Sequence, residues 1–405
     1  MGDHQTQLAE AHTEAASHFM THEEMIAAAK KLRPLLAEKA REAEAARQPL
    51  DEVIKAIGDA GIYSMLTPKC FGGHELDMDT FFEVILELSK ADAAMGWLTA
   101  FYVEHAFWFC GFPEEFQKEV FKDDSYVLAP SSLSLMGGSA TPAEGGYELS
   151  GRWQWGTGVL HASWVLVGAL FTDDDGNVEP LFFAIPRDEV EAIDTWFVSG
   201  MCATGSYDIE VKDVFVPAER VTSMLTLTEG ISASEHHDGP MYRTPLIPIL
   251  GFASALAILG AAQGALESYQ TKTKEKIAAN IARAGGTIKD EGKPSVVAKA
   301  AMNLEAAELV LRDILKGVME ERAEASRETR LQWIARMSHA VFMCRTAVQD
   351  IASVTGAGGF YLDSPVQKAL RDISTGSNHI IFDRESRYSD FGRVLLDQPI
   401  ESLMI

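Results

Sequence analysis

Two of the eleven histidines stand where an imidazole can do chemistry. His105 sits in an apolar run with Phe101, Tyr102, Phe107 and Trp108. His379 lies in Gly376-Ser377-Asn378-His379-Ile380-Ile381-Phe382-Asp383. A free imidazole titrates near neutrality, so each is a candidate acid or base, and each has an alternative as a hydrogen-bonded core residue. Hydroxyls come from the pair Ser131-Ser132 and from Thr157 in the turn Trp155-Gly156-Thr157-Gly158. The aromatic run suits a flat aromatic ligand, although such a stripe is core first and pocket second. Gly356, Gly358 and Gly359 make a turn at which backbone can approach a ligand closely.

Other clusters carry less. His236-His237-Asp238 are adjacent, so they cannot easily share one metal and read as a solvated loop. Cys70, Cys110, Cys202 and Cys344 are too far apart for a zinc or dithiol motif, and no metal is expected. Lys272, Lys274, Lys276 and Arg283 read as a solvated helix face, with an anion-binding role as the alternative.

Three blocks must position these groups. Residues 23–124 have helical periodicity, with helices expected over 25–45, 50–61, 77–90 and 94–110. Residues 125–225 turn to short β runs: 147–150, 153–155, 163–171, 178–186, 193–197, 207–216 and 220–223. Turns such as Glu144-Gly145-Gly146 and 173–177 separate them, which suggests an antiparallel sandwich or barrel. Helical pattern returns over 240–405, where long helices at 246–273, 295–321, 329–356 and 365–386 predict a four-helix bundle. A loop of disorder-like composition is expected near 284–294, and residues 1–22 read as a flexible N-terminus.

The 405 residues carry 35 Lys+Arg against 59 Asp+Glu, a formal charge of −24. That balance argues against nucleic acid or an anionic membrane as partner. With no apolar leader near Met1, and only broken apolar stretches at 95–103 and 246–259, a cytoplasmic protein is expected.

Helices, then a small β domain, then a helical bundle resembles the acyl-CoA dehydrogenase fold. The stretch from Gly200 through Thr204-Gly205-Ser206 to Arg220 is similar to that superfamily's last β-domain strands. Gly359 to Asp372 resembles its C-terminal flavin-contact segment, and Leu259-Gly260 to Gly264 adds a further match. The family's catalytic Glu, nine residues beyond Arg371, is replaced by Ile380, and the first bundle helix has no Glu before Glu267. A dehydrogenase needs that carboxylate to take the substrate's α-proton.

These departures resemble the flavin-dependent monooxygenases of the same fold, which include the oxygenase components of 4-hydroxyphenylacetate hydroxylase and of a steroid-degrading phenol hydroxylase. The resemblance implies an oxygenase using reduced FMN or FAD (FMNH2 or FADH2) and O2. A flavin C4a-hydroperoxide would hydroxylate a phenol- or indole-like ring, and a separate NAD(P)H flavin reductase would supply the flavin. It also implies a homotetramer in which Gly356, Gly358 and Gly359 reach a neighbour's flavin. His379 is then the expected catalytic acid/base, with His105 assisting. Thr157 is the expected partner of flavin N5, and Ser131, Ser132, Trp155, Gly156 and Gly158 are expected at the cofactor. Phe101, Tyr102, Trp108 and His105 are expected at the substrate. The hydroxyphenylacetate hydroxylases carry an Arg where this chain has Ile247, so a neutral or apolar aromatic is the expected substrate. Rival readings are an N- or S-oxygenase of the same fold, an acyl-CoA dehydrogenase with a relocated base, and a non-catalytic flavin binder.

Overall fold

The computed structural model describes residues 18–172, 176–284 and 292–400. Most of the expected flexible N-terminus, most of the 284–294 loop and part of the 173–177 turn lie outside these residues. Five helices come first: α1 (His22–Ala46), α2 (Asp51–Asp59), α3 (Met78–Ala91), α4 (Ala93–Phe109) and α5 (Glu114–Val120). Thr21 opens α1 with a reciprocal capping box to Glu24, which satisfies two helix-end donors at once. The α4 helix is buried along its whole length and has no polar face, so it forms the centre of the molecule.

Eight strands follow: β1 (Ser131–Ser132), β2 (Gly138–Ala143), β3 (Gly146–Gly156), β4 (Trp164–Thr172), β5 (Val178–Pro186), β6 (Glu191–Ile193), β7 (Tyr207–Pro217) and β8 (Val221–Ser223). They form one sheet in the order β6-β7-β3-β2-β4-β5-β8, with β1 paired to β4. Most pairs are antiparallel, but β1 and β2 both run parallel to β4. The sheet is therefore mixed, which corrects the purely antiparallel expectation. The expected runs 147–150 and 153–155 are one strand, β3. The expected strand 193–197 stops at Ile193, and Phe197 turns out under the Arg47 guanidinium, 4.0 Å from its ring centre.

After the short α6 (Met224–Thr228), the chain enters α7 (Leu246–Ala284), α8 (Pro294–Glu321) and α9 (Arg327–Val354). Among the described residues, α7 is the one helix long and apolar enough to cross a membrane, and 94 % of that apolar window is buried inside the protein. It packs against α3 at Gly264, where a Cβ would lie 2.1 Å from the Lys90 carbonyl oxygen, so only glycine permits the approach. The expected fourth bundle helix is broken. α10 (Pro365–Gly376) ends, a loop and a 3₁₀ turn (Ile380–Phe382) follow, and α11 (Arg384–Leu395) resumes. That break places His379 on a loop.

Candidate active site

On α4, residues 97, 101, 105 and 108 share one face by helical spacing. His105 is fixed by its Nδ1–H, which donates to the Ala129 carbonyl at 2.6 Å. A carbonyl only accepts, so Nε2 of the neutral ring is left bare. The same bond anchors the chain just ahead of β1. There the Ser132 hydroxyl donates to the Gln154 carbonyl at 2.8 Å, while the Ser131 hydroxyl is buried with no protein partner.

The end of β3 carries Trp155, and the turn after it carries Thr157. The Thr204 hydroxyl donates to the Met201 carbonyl at 2.9 Å and lies 2.7 Å from Ser206 Oγ, which is 3.0 Å from Thr157 Oγ1. With the Thr204 proton committed, Ser206 donates to Thr204 and Thr157 donates to Ser206. Thr157 Oγ1 thus keeps its lone pairs for another donor. Gly158, at φ +75°, closes the turn, and its carbonyl accepts from the Tyr102 hydroxyl at 2.6 Å.

His379 caps the 3₁₀ turn, its Nδ1 accepting from the Ile381 N–H at 3.3 Å. Its proton therefore resides on Nε2, the opposite tautomer to His105. The His379 ring meets Trp97 edge-on at 5.6 Å and Phe101 at 6.2 Å, and Phe101 meets His105 at 5.5 Å. Burial pushes His105 down to about 3 and His379 down to about 4. Both imidazoles are neutral at pH 7, so neither titrates near neutrality as the sequence suggested.

These groups border two adjoining cavities. The larger, about 680 Å3, is lined by Phe101, His105, Trp108, Ser131, Ser132, Trp155 and His379, with Arg152, Ile247, Leu250 and Arg387 among its other walls. The smaller, about 300 Å3, shares Phe101, Ser131, Trp155 and His379 and adds Trp97, Thr157, Trp196, Met201, Thr204 and Ser206. Among the described residues no Asp or Glu lines either one. An orphaned Ser131 hydroxyl, an accepting Thr157 oxygen and the indole of Trp155, 54 % exposed, suit a flat polar heterocycle with its own donors and acceptors.

The structure thus brings together His379, His105, Thr157, Ser131, Ser132, Trp155, Phe101 and Trp108. Tyr102 does not line either cavity, because its hydroxyl is spent beneath Gly158, and so it braces the turn. Gly156 and Gly158 are buried and shape that turn. Gly356, Gly358 and Gly359 lie at a 3₁₀ turn (Ala357–Phe360) away from both cavities. His161, next to the matched turn, bonds Asp51 at 2.8 Å. His237 bonds Gln117, and among the described residues no His/Cys/Asp/Glu cluster can hold a metal. Lys272, Lys274, Lys276 and Arg283 are exposed. The sequence reading missed Arg152, Leu250, Trp196, Met201 and Arg387. Met201, like Thr204 and Ser206, stands inside the Gly200–Arg220 stretch that resembles the family, which was the one signal that could have found it.

Two family models match this chain: acyl-CoA dehydrogenase, N-terminal domain, over residues 18–119, and acyl-CoA dehydrogenase, C-terminal domain, over residues 252–384. The "pigment production hydroxylase" of Rhodococcus sp. is 31 % identical over 92 % of this chain and 96 % of its own length. The "flavin-dependent monooxygenase, oxygenase subunit HsaA" of Mycobacterium tuberculosis is 30 % identical over 94 % and 97 %. Among solved structures, XiaF from Streptomyces sp., in complex with FADH2 and glycerol, superposes with TM-score 0.85 at 26 % identity over 99 % of both chains.

Proposed function

The chain belongs to the flavin-dependent monooxygenases of the acyl-CoA dehydrogenase fold, and from that membership we propose how its own residues divide the hydroxylation of an aromatic ring. It is an oxygenase component that uses reduced flavin and O2, and a separate flavin reductase supplies the flavin. Reduced flavin, when bound, activates O2 so that one oxygen atom can pass to the ring.

The observation that carries the assignment is the pair of neutral imidazoles with opposite tautomers on one cavity. His105 Nε2 accepts the hydrogen bond of a ring hydroxyl or indole N–H, which raises electron density at the ring carbons. Its depressed pKa means that it holds this proton without carrying it away. His379 Nε2–H is a donor, aimed at oxygen rather than at an acidic proton. That reverses the roles the sequence suggested, in which His379 led as acid/base. Thr157 Oγ1 accepts from the N5–H of reduced flavin, and Ser131 supplies a further hydroxyl to it. Phe101, Trp108, Ile247 and Leu250 wall the substrate and exclude water. With no carboxylate on either cavity among the described residues, a dehydrogenase with a relocated base lacks a visible group for α-proton abstraction.

The same reading takes 23–124, 125–225 and 240–405 as the functional divisions. It also takes the protein as a cytoplasmic homotetramer served by a reductase that draws on NAD(P)H. Support for assembly comes from the exposed run Phe360, Tyr361 and Leu362 directly after the glycine turn, which gives Gly356, Gly358 and Gly359 a neighbouring subunit to meet. The test mixes anaerobic protein and reduced FMN or FADH2 with oxygenated buffer and follows absorbance. A transient spectrum unlike reduced or oxidised flavin, lasting seconds, is the expected result. Immediate appearance of oxidised flavin with both cofactors, at several pH values, overturns the reading.

A further inference from the structure

The larger cavity has one wall that the roles above leave unused. Two guanidinium groups border it, Arg152 and Arg387. Arg152 is satisfied, with Nε and Nη2 both donating to Asp208 Oδ2 at 3.0 and 2.8 Å. Arg387 differs. Its Nε–H donates to the Ile381 carbonyl at 3.1 Å, within the turn that His379 caps, and that is its one side-chain bond to the described residues. Burial pushes its pKa down, and Asp390 and Asp383 oppose the shift from a distance. Neither carboxylate, nor any other among the described residues, comes within ion-pairing distance of it. Arginine stays charged under such a shift, so the cavity holds a cation whose two Nη groups have no partner among the described residues.

We propose that Arg387 is the substrate-specificity residue of this cavity, selecting aromatic substrates that carry a carboxylate side chain. The proposal rests on the monooxygenase reading and deepens it. Held by Nε, the planar fork presents its two Nη groups end-on, the geometry that matches a carboxylate bidentately. A half-buried guanidinium without a counter-ion is destabilising, and an anionic ligand relieves that cost while its ring packs on Phe101, Trp108, Ile247 and Leu250. The proposal departs from the neutral substrate expected from Ile247. The chain lacks a cation at 247 and has one on α11 instead. In a protein of net charge −24, an unpaired cation at the cavity is also what lets an anion settle there.

The test compares acid and amide isosteres, 4-hydroxyphenylacetate with 4-hydroxyphenylacetamide and indole-3-acetate with indole-3-acetamide, on the full chain loaded with reduced flavin. Wild type is expected to bind each acid at least about 10-fold more tightly than its amide, the usual strength of a charge-assisted hydrogen bond. Arg387→Met should weaken the acids by about 10- to 100-fold and leave the amides near their wild-type affinity. If Arg387→Met does not fold, Arg387→Lys still reads the point, keeping a charge without the fork and so a reduced preference for the acids. Equal binding of acid and amide by wild type overturns the proposal. So does an equal loss for both ligands in the variant, or a parallel loss of reduced-FMN affinity, which would assign Arg387 to the cofactor. Failure of the monooxygenase reading shows separately, as the absence of the long-lived transient in wild type without any aromatic.

Discussion

Lowering the pH from 7.5 to 5.0 should unload the two buried imidazoles' contribution to stability, and substituting either should remove its share of that loss. An unfolded histidine takes a proton near its ordinary value of about 6.5. In the folded protein, burial holds His379 at about 4 and His105 at about 3. A depressed folded pKa means that the contribution is whole above about pH 6.5 and is lost as pH falls toward the folded value, because only the unfolded chain gains the proton. The slope is about 1.4 kcal/mol per pH unit for each imidazole, so each loses about 2 kcal/mol between pH 7.5 and 5.0. The variants are His379→Asn, whose side-chain oxygen can still accept from the Ile381 N–H, and His105→Asn, whose amide can still donate to Ala129. Urea unfolding at fixed protein concentration across that range measures the effect, and each variant's own cost cancels because only the pH dependence is compared. Each variant should lose about 2 kcal/mol less than wild type over the interval. Parallel curves for wild type and both variants would falsify the burial argument and with it the neutral tautomers assigned to the site. The same argument predicts that ring hydroxylation shows no histidine inflection between pH 6 and 8.

Three further outcomes follow from the geometry. Ser131→Ala removes a buried hydroxyl with no protein partner, so urea stability of the flavin-free protein should hold or rise by about 1 kcal/mol while calorimetry shows weaker binding of reduced flavin. Gly158→Ala puts a Cβ 2.2 Å from the Tyr102 hydroxyl at φ +75°, and a thermal melt should report a loss of about 2–4 kcal/mol. Lys368→Met leaves Asp92 and Asp372 buried without their shared counter-ion, for a loss of about 3–5 kcal/mol in urea, and an unchanged midpoint would show the triad to be idle.

Strong local patterns made much of this fold legible. The strand over 178–186 and the helix beginning near residue 94 stand within a residue of expectation, because an apolar run with paired Phe182 and Phe183 and an unbroken apolar helix need little outside help. β2 was invisible, since Gly-Ser-Ala-Thr-Pro-Ala has weak strand preference and becomes a strand only by pairing with β3 along its length. The break after Gly376 was legible in principle from Ser377, Asn378 and Asp383, all turn formers, but the helical pattern on either side masked it. At the site, residue types located His379, His105, Thr157 and Ser131. Tautomer and protonation were beyond the sequence, because both depend on backbone partners, at Ala129 and Ile381, and on burial by other segments. Arg387 was out of reach for the same reason. On α11 it is one arginine among several, and only the broken helix swings it to the cavity.

The Lys368 ammonium lies 2.7 Å from both Asp92 and Asp372, and Asp372 in turn accepts from the Met201 N–H at 2.6 Å. Two side chains of α10 therefore tie it to the rest of the fold, Lys368 to the start of α4 and Asp372 to the loop ahead of β7. During synthesis that knot cannot be tied until α10 has left the ribosome, so the floor of the smaller cavity is set only when translation is nearly finished. A nascent chain therefore lacks the finished smaller cavity until its last helices have emerged.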